Sequence, residues 1–189
     1  MKKIYLTCFW CFLVLACTTN QKESLEPEII KTQNQKKFPK YIDCVSDFEK
    51  VFTDGEKASI TTILEDYETK TTNEIAVISL DENVEKQNFD QYALDLSNAW
   101  GIGKAEKNNG LTIVFSKKLK KIRICTGTGT EKILNDKLCE KVLNEQILPE
   151  FRKDNYYTGI VNGINEFIKL WELQQWVSTG LSSLNLTGS

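Results

Sequence analysis

The chain has 189 residues, with 24 Lys and Arg set against 26 Asp and Glu and no histidine. That length suits one domain with a substantial core plus tails, and the near-balanced charge offers no basic face for nucleic acid, which is not expected as a partner. The missing histidine excludes Ser-His-Asp triads, Cys-His dyads and histidine-ligated zinc, so any catalysis must run on carboxylates, Lys, Tyr, Thr, Cys or a bound cofactor.

The first segment reads as an export leader. Lys2 and Lys3 precede the 13-residue apolar run IYLTCFWCFLVLA, shorter than the ~20 residues that a membrane-spanning helix needs. The run closes on small Ala16 followed by Cys17, a sequence that resembles the lipobox of bacterial lipoproteins, whose cysteine is diacylated and becomes the new N-terminus. Leu15 is bulkier than that motif usually carries, and an ordinary cleaved signal or an uncleaved anchor is the alternative. The expectation is a signal peptide over residues 1–16, a lipid on Cys17, and a domain held at a cell-envelope membrane, on its periplasmic or cell-surface face. Residues 17–40 are polar and charged with Pro27 and Pro39, and so read as a flexible tether. Beyond Cys17 only Cys44, Cys125 and Cys139 remain. An odd, widely spaced set is neither a disulfide framework nor a zinc site; three buried small hydrophobes are expected, with one disulfide as the alternative.

A folded domain is expected over residues 41–175. Thr53 with Glu56 three positions on makes a capping box, and Ile60, Ile63, Leu64 and Tyr67 then mark one face of a helix. EIAVISL follows as a strand apolar enough to be buried on both faces. Asn88 with Gln91 is placed to cap a second helix, striped by Phe89, Tyr92, Ala93, Leu96 and Trp100. GLTIVFS is the next strand, and the KKLKK that separates it from IRIC is too short for a crossover, so the two form an antiparallel hairpin. A helical region carries Leu134, Leu138 and Val142 on one face and ends at Pro149. The last helix runs from about Tyr157 to Gln175, and residues 176–189 read as a disordered tail. This order predicts an α/β layer fold with a small sheet and helices on both faces, the first crossover right-handed.

Strand direction alone places two glycine loops. If the first core strand runs up, the helix after it returns down, and GIGKAEKNNG lies at the lower edge. The hairpin turns over at the lysine tip, so TGTGT returns to that same lower edge. A dinucleotide or P-loop site does not fit, because no third glycine completes G-x-G-x-x-G and no G-x-x-x-x-G-K-[ST] occurs. A cysteine-phosphatase loop beginning at Cys125 needs an arginine six positions on, where Glu131 stands and would repel phosphate. Two readings remain. Asn108, Asn109 and backbone carbonyls with a nearby carboxylate suit Ca²⁺ or another divalent cation, while the N–H groups at the start of the following helix suit an anion. Alternatively, both stretches are ordinary turn chemistry.

Taken in order, VSDF, EIAVISL, YALDLSNAWGIG, NNGLTIVFS, KIRICTGTGTEKIL, ILPEF and YYTGI resemble the TPM domain family from Cys44 to about Trp171. The resemblance implies a three-layer α/β/α sandwich around a small mixed sheet of about four strands. Members include thylakoid-lumen proteins tied to photosystem II repair, a receptor modulator and many exported or membrane-tethered bacterial proteins; some are described as acid phosphatases and some bind calcium. Carried over residue by residue, it implies Asp47, Asn108, Asn109 and Gly110 as metal ligands, and Gly127, Thr128 and Gly129 as the turn that holds a phosphoryl or other anionic group. Asp47 is also the catalytic candidate. Asn108 replaces a carboxylate that many members keep, which weakens a calcium site, and Glu49 and Lys50 stand where small residues are usual. For Asp47 a capping or turn role is the alternative, and Trp100 is expected in the core.

The expected function is a membrane-tethered accessory or binding module of the cell envelope with an envelope protein as partner and a divalent cation as the candidate cofactor. The alternative is a weak metal-dependent acid phosphatase, which oxygen ligands alone can support. The KKLKK tip is expected as a solvated turn that touches a partner or anionic lipid rather than the glycine edge.

Overall fold

The computed structural model describes residues 38–81 and 88–184. The expected leader at 1–16, the expected lipid site at Cys17 and most of the expected tether lie outside the described residues.

One sheet of four strands runs in the order β1 (Val45–Asp47), β2 (Glu74–Ser79), β3 (Gly110–Ser116) and β4 (Lys121–Thr126). The first three are parallel and β4 is antiparallel to β3, which makes the sheet mixed, as expected. Three residues are too few to show a hydrophobic period, so periodicity alone did not reveal β1. It exists because Val45 and Ser46, both fully buried, lie alongside Val77 and Ile78 of β2.

Helices cover both faces. On one, α1 (Asp54–Thr71) and α6 (Tyr156–Leu184) pack Ile60, Leu64, Phe167 and Trp171 onto Val77, Ile113 and Phe115. On the other, α2 (Phe89–Trp100) sets Phe89, Ala93 and Leu96 against Ile78, Val114 and Cys125. Successive strand residues alternate between the two cores, which is why β2 and β3 read as continuous apolar runs. The Thr53–Glu56 capping box forms as the sequence predicts, and Ile60, Leu64 and Tyr67 are its buried stripe. Asn88 occupies the N-cap of α2, but its side chain makes no capping bond; Gln91 instead donates to Asp95 at 2.7 Å.

After β4 the chain makes a single turn, α3 (Thr128–Glu131), then α4 (Asp136–Val142), a π-helical turn over Leu143–Ile147 and α5 (Leu148–Phe151). Pro149 therefore does not end the segment. It sits in the first turn of α5, where a missing N–H costs nothing. Two boundaries also move. The fold begins by Phe38, whose ring packs on Tyr92 at 5.3 Å, and the Trp100 indole N–H donates to the Pro39 carbonyl at 3.0 Å. At the other end α6 continues through residues 176–184, where a disordered tail was expected. No proline breaks that run, and it continues although Trp176 is 72% exposed.

Candidate functional site

The two glycine loops do meet at one edge of the sheet. The Gly127 N–H donates to the Gly110 carbonyl at 2.9 Å, and the N–H groups of Gly129 and Thr130 donate to the Asn108 carbonyl at 3.0 and 3.3 Å. The Thr130 hydroxyl adds a bond to the Gly110 carbonyl at 2.9 Å. The donors that would cradle an anion at Gly127, Thr128 and Gly129 are thus largely taken by the backbone of the facing loop. A Cβ at Gly127 or Gly129 would run into the carbonyls of Asn108 and Lys107 closer than any real carbon–oxygen contact. The glycines are there so that two backbones can touch.

The Asn108 backbone and the Asn109 side chain are equally committed. Asn108 takes a left-handed φ of 48°, a conformation asparagine tolerates better than most residues. The Asn109 side chain accepts from Lys104 N–H at 2.9 Å and donates to the Thr72 carbonyl and to Asn73 at 2.8 and 3.0 Å. Asn73 in turn donates to the Tyr67 hydroxyl, and the Gly103 N–H is held by the Glu74 carboxylate at 2.9 Å. Beside this edge lie a recess of about 50 Å³ between α2 and β4, lined by Ser97, Asn98, Gly110 and Cys125 among others, and a more open groove of about 440 Å³ lined by Glu65, Glu68, Thr69, Thr72 and Lys104.

Asp47 is elsewhere. It ends β1, in register with Ser79 at the end of β2 and, two strands away, with Phe115 near the end of β3, whereas Asn108 and Asn109 precede β3 and Gly110 is its first residue. The proposed ligand set of Asp47, Asn108, Asn109 and Gly110 is therefore split between opposite edges and does not converge. The resemblance groups these residues by their order along the chain, and a three-residue strand such as β1 has no period from which its direction can be read.

At the carboxyl edge of the parallel strands, the side where α/β sheets commonly carry their sites, a polar network has formed. The Asp47 carboxylate accepts N–H groups from Val51 and Phe52 at 3.0 and 2.9 Å and a short hydrogen bond from the Ser79 hydroxyl. Ser79 accepts the Glu49 N–H at 3.0 Å. The Glu49 carboxylate then accepts the N–H groups of Lys117 and Lys118 at 2.6 and 2.7 Å, together with the Ser116 hydroxyl at 3.3 Å. Ser79 and Ser116 are buried. One chain of hydrogen bonds so ties β1, β2, β3 and the hairpin tip together. Asp47 has the turn-capping role, and Glu49, where the TPM pattern usually has a small residue, is the residue that grips the lysine tip.

Next to this network lies a recess of about 330 Å³ between the hairpin and the α5–α6 junction. Lys120, Lys121 and Arg152 bring positive charge to it, Asp154 a single negative one, and Phe151 and Tyr156 form its aromatic wall. Phe115, Phe151 and Tyr156 are mutually packed, with ring centroids 4.5 to 6.0 Å apart. The Lys117 ammonium stands 5.1 Å from the Tyr156 ring centre, a cation–π contact. No sequence motif announced this recess, because its walls come from segments thirty residues apart that only the packing of α6 brings together.

The thiols offer no nucleophile. Cys44, Cys125 and Cys139 are buried and unbridged. Burial pushes Cys44 and Cys139 up to about 12 and raises Cys125 as well, so all three stay protonated near neutral pH. The cysteine-phosphatase loop already lacked its arginine, and here it also lacks a thiolate.

A family model for the TPM domain matches residues 45–170, from the first residue of β1 to well inside α6. The chain belongs to the TPM domain family. No curated protein matches it. Among solved structures it is similar to the N-terminal domain of a protein from P. gingivalis, at 25% identity and a TM-score of 0.59 over 67% of this chain and 80% of that one. It is similar in fold to the BA42 protein of the psychrophilic bacterium Bizionia argentinensis, at 21% identity and a TM-score of 0.57 over 67% of this chain and 86% of the other. For this TPM domain, then, both the sandwich and the family expected from the motifs hold.

Proposed function

We propose that this TPM domain is an accessory module of the cell envelope, held at the periplasmic or cell-surface face of a membrane by a lipid on Cys17, and that it works by binding a protein partner rather than by hydrolysis. The observation that carries the proposal is the separation of Asp47 from the glycine edge. The groups that a metal-assisted phosphatase would have to gather around one phosphoryl centre stand at opposite ends of the sheet, and Asp47, the Asn109 side chain and the Gly127 and Gly129 N–H groups are engaged by the fold's own donors and acceptors. The open recess beside the hairpin has the mixed cationic and aromatic lining that suits recognition. The apolar leader, the cysteine after Ala16 and the polar stretch that follows support the tether.

Two measurements test this. The full chain is assayed with p-nitrophenyl phosphate in the presence and absence of Ca²⁺, Mg²⁺ and Mn²⁺, with the melting temperature read in each cation. No turnover is expected, and metal-dependent turnover by the unaltered chain would overturn the binding role. Cys17→Ser is expected to move the protein from the membrane to the soluble fraction. Unchanged fractionation would remove the lipid tether from the proposal.

A further inference from the structure

The sheet has one long open edge. β4 pairs with β3 on one side, and among the described residues no strand lies on its other side. The Gly127–Gly110 bond fixes which residues face which way, because antiparallel pairs alternate between bonded and non-bonded positions. Arg123 and Cys125 turn their backbone groups toward β3. Ile122, Ile124 and Thr126 turn theirs outward, and among the described residues nothing pairs with them. An unpaired edge such as this one is a template for an added strand unless it is blocked by proline, a bulge or a covering element, and its charged side chains, here Lys121 and Arg123, turn away any segment that does not bring opposite charge. KIRICT contains no proline and forms an unbroken ladder with β3.

The side chains around the edge specify what would add. Residues directly opposite one another on neighbouring strands point to the same face. A residue laid against Ile122 therefore heads for the face of the α6 core, where the 330 Å³ recess opens beside Ile122 and Phe151. A residue laid against Arg123 or Cys125 heads for the α2 face, where the smaller recess touches Cys125 and Gly127. The charge on and beside this strand is positive: Lys120, Lys121, Arg123 and Arg152, set against Asp90, 3.9 Å from Lys121, and Asp154. Arg123 is half-buried on this strand, and its Nε–H, itself shielded from solvent, has no acceptor within the fold.

We infer that β4 is a strand-addition site for an extended segment of a partner protein, with acidic side chains alternating with apolar ones, the acids meeting Lys121 and Arg123 and the apolar residues lying over Ile122 and Ile124. Backbone bonds to Ile122, Ile124 and Thr126 would supply affinity, and the two recesses would select side chains on alternate faces. The inference rests on the binding role proposed above, yet the two can fail separately: phosphomonoester turnover removes the first, and the measurements below remove the second.

The test uses the full chain in detergent with two synthetic peptides, acetyl-VEVEVEV-amide and its lysine counterpart acetyl-VKVKVKV-amide. In the free chain the outward amides of Ile122, Ile124 and Thr126 are expected to exchange with deuterium rapidly, while those of Arg123 and Cys125 are slow. The acidic peptide should slow the three outward amides at least tenfold and bind at least ten times more tightly than the basic one. Lys121→Glu combined with Arg123→Glu should reverse that preference, and Ser59→Ala on exposed α1 should leave it unchanged. Four results would overturn the inference. The three amides exchange at the same rate with either peptide. They are already protected in the dilute free chain, which makes a segment of the chain itself the occupant. Their protection rises with chain concentration in the absence of peptide, which makes a second copy the occupant. Or the charge-reversed variant, still cooperatively folded, keeps the original preference.

Discussion

The Glu49 carboxylate accepts the backbone N–H of Lys117 at 2.6 Å although 68 residues separate them in the chain. The loop after β1 thereby fastens the tip of the β3–β4 hairpin, and the orientation of the cationic recess depends on a residue that does not line it. Glu49→Ala should leave the Lys117 and Lys118 amides to water and cost about 1–3 kcal/mol. Glu49→Gln, which keeps one acceptor oxygen, should cost less. Urea denaturation gives the stabilities, and amide exchange at Lys117 and Lys118 should quicken in both.

Asp47 can be separated from a ligand role by an isosteric change. Its two oxygens accept from three donors, so Asp47→Asn would turn an amide NH₂ toward one of the backbone N–H groups of Val51 or Phe52. A donor facing a donor satisfies neither, and Asn should destabilise nearly as much as Ala, about 1–3 kcal/mol for either. If Asn proves neutral in denaturant titrations, the Asx-type role assigned to Asp47 is wrong.

The glycines should divide sharply. Gly129→Ala places a methyl group against the Lys107 and Asn108 carbonyls, which are backbone and cannot swing away. A loss of about 2–4 kcal/mol is expected, as for other overpacked sites that cannot relax. Gly55, in the first turn of α1, has nothing within 4 Å of an added Cβ. Gly55→Ala should be neutral to stabilising by about 0.5–1 kcal/mol. Thermal melts of the two variants side by side decide it.

The buried thiols set an alkaline limit. Their folded values are raised by burial, Cys44 and Cys139 to about 12 from 9.0. An unfolded thiol therefore ionises before a folded one, and the unfolded state releases protons first. The stability that this linkage contributes is whole below pH 9, and it falls as pH rises from 9 toward 12. Dithionitrobenzoate at pH 8 should label the folded chain slowly and the urea-unfolded chain within the mixing time. Fast labelling of folded protein would show a thiol that is exposed.

Much of the fold could be read without coordinates because its elements are long enough to show a period. The α1 stripe Ile60, Leu64 and Tyr67, its Thr53–Glu56 cap, the buried strands β2 and β3 and the Lys117–Lys121 hairpin all follow from local pattern, and the meeting of the two glycine loops follows from strand direction alone. The nature of that meeting does not. NNG and GTG look the same whether they bind an ion or one another, since the distinction is whether a facing carbonyl fills the space, and that carbonyl comes from a loop about twenty residues away.

Local sequence by itself determined which segments would be helix or strand and which faces they would bury, because hydrophobic period and capping act over a turn or two of chain. Only the tertiary structure decided that Asp47 stands across the sheet from Asn108, that Glu49 holds the lysine tip, and that β4 has no second strand partner among the described residues. A three-residue strand has no period of its own. Its position and direction are set by the neighbour it hydrogen-bonds, and every residue whose role hangs on that position stays undetermined until the sheet is assembled.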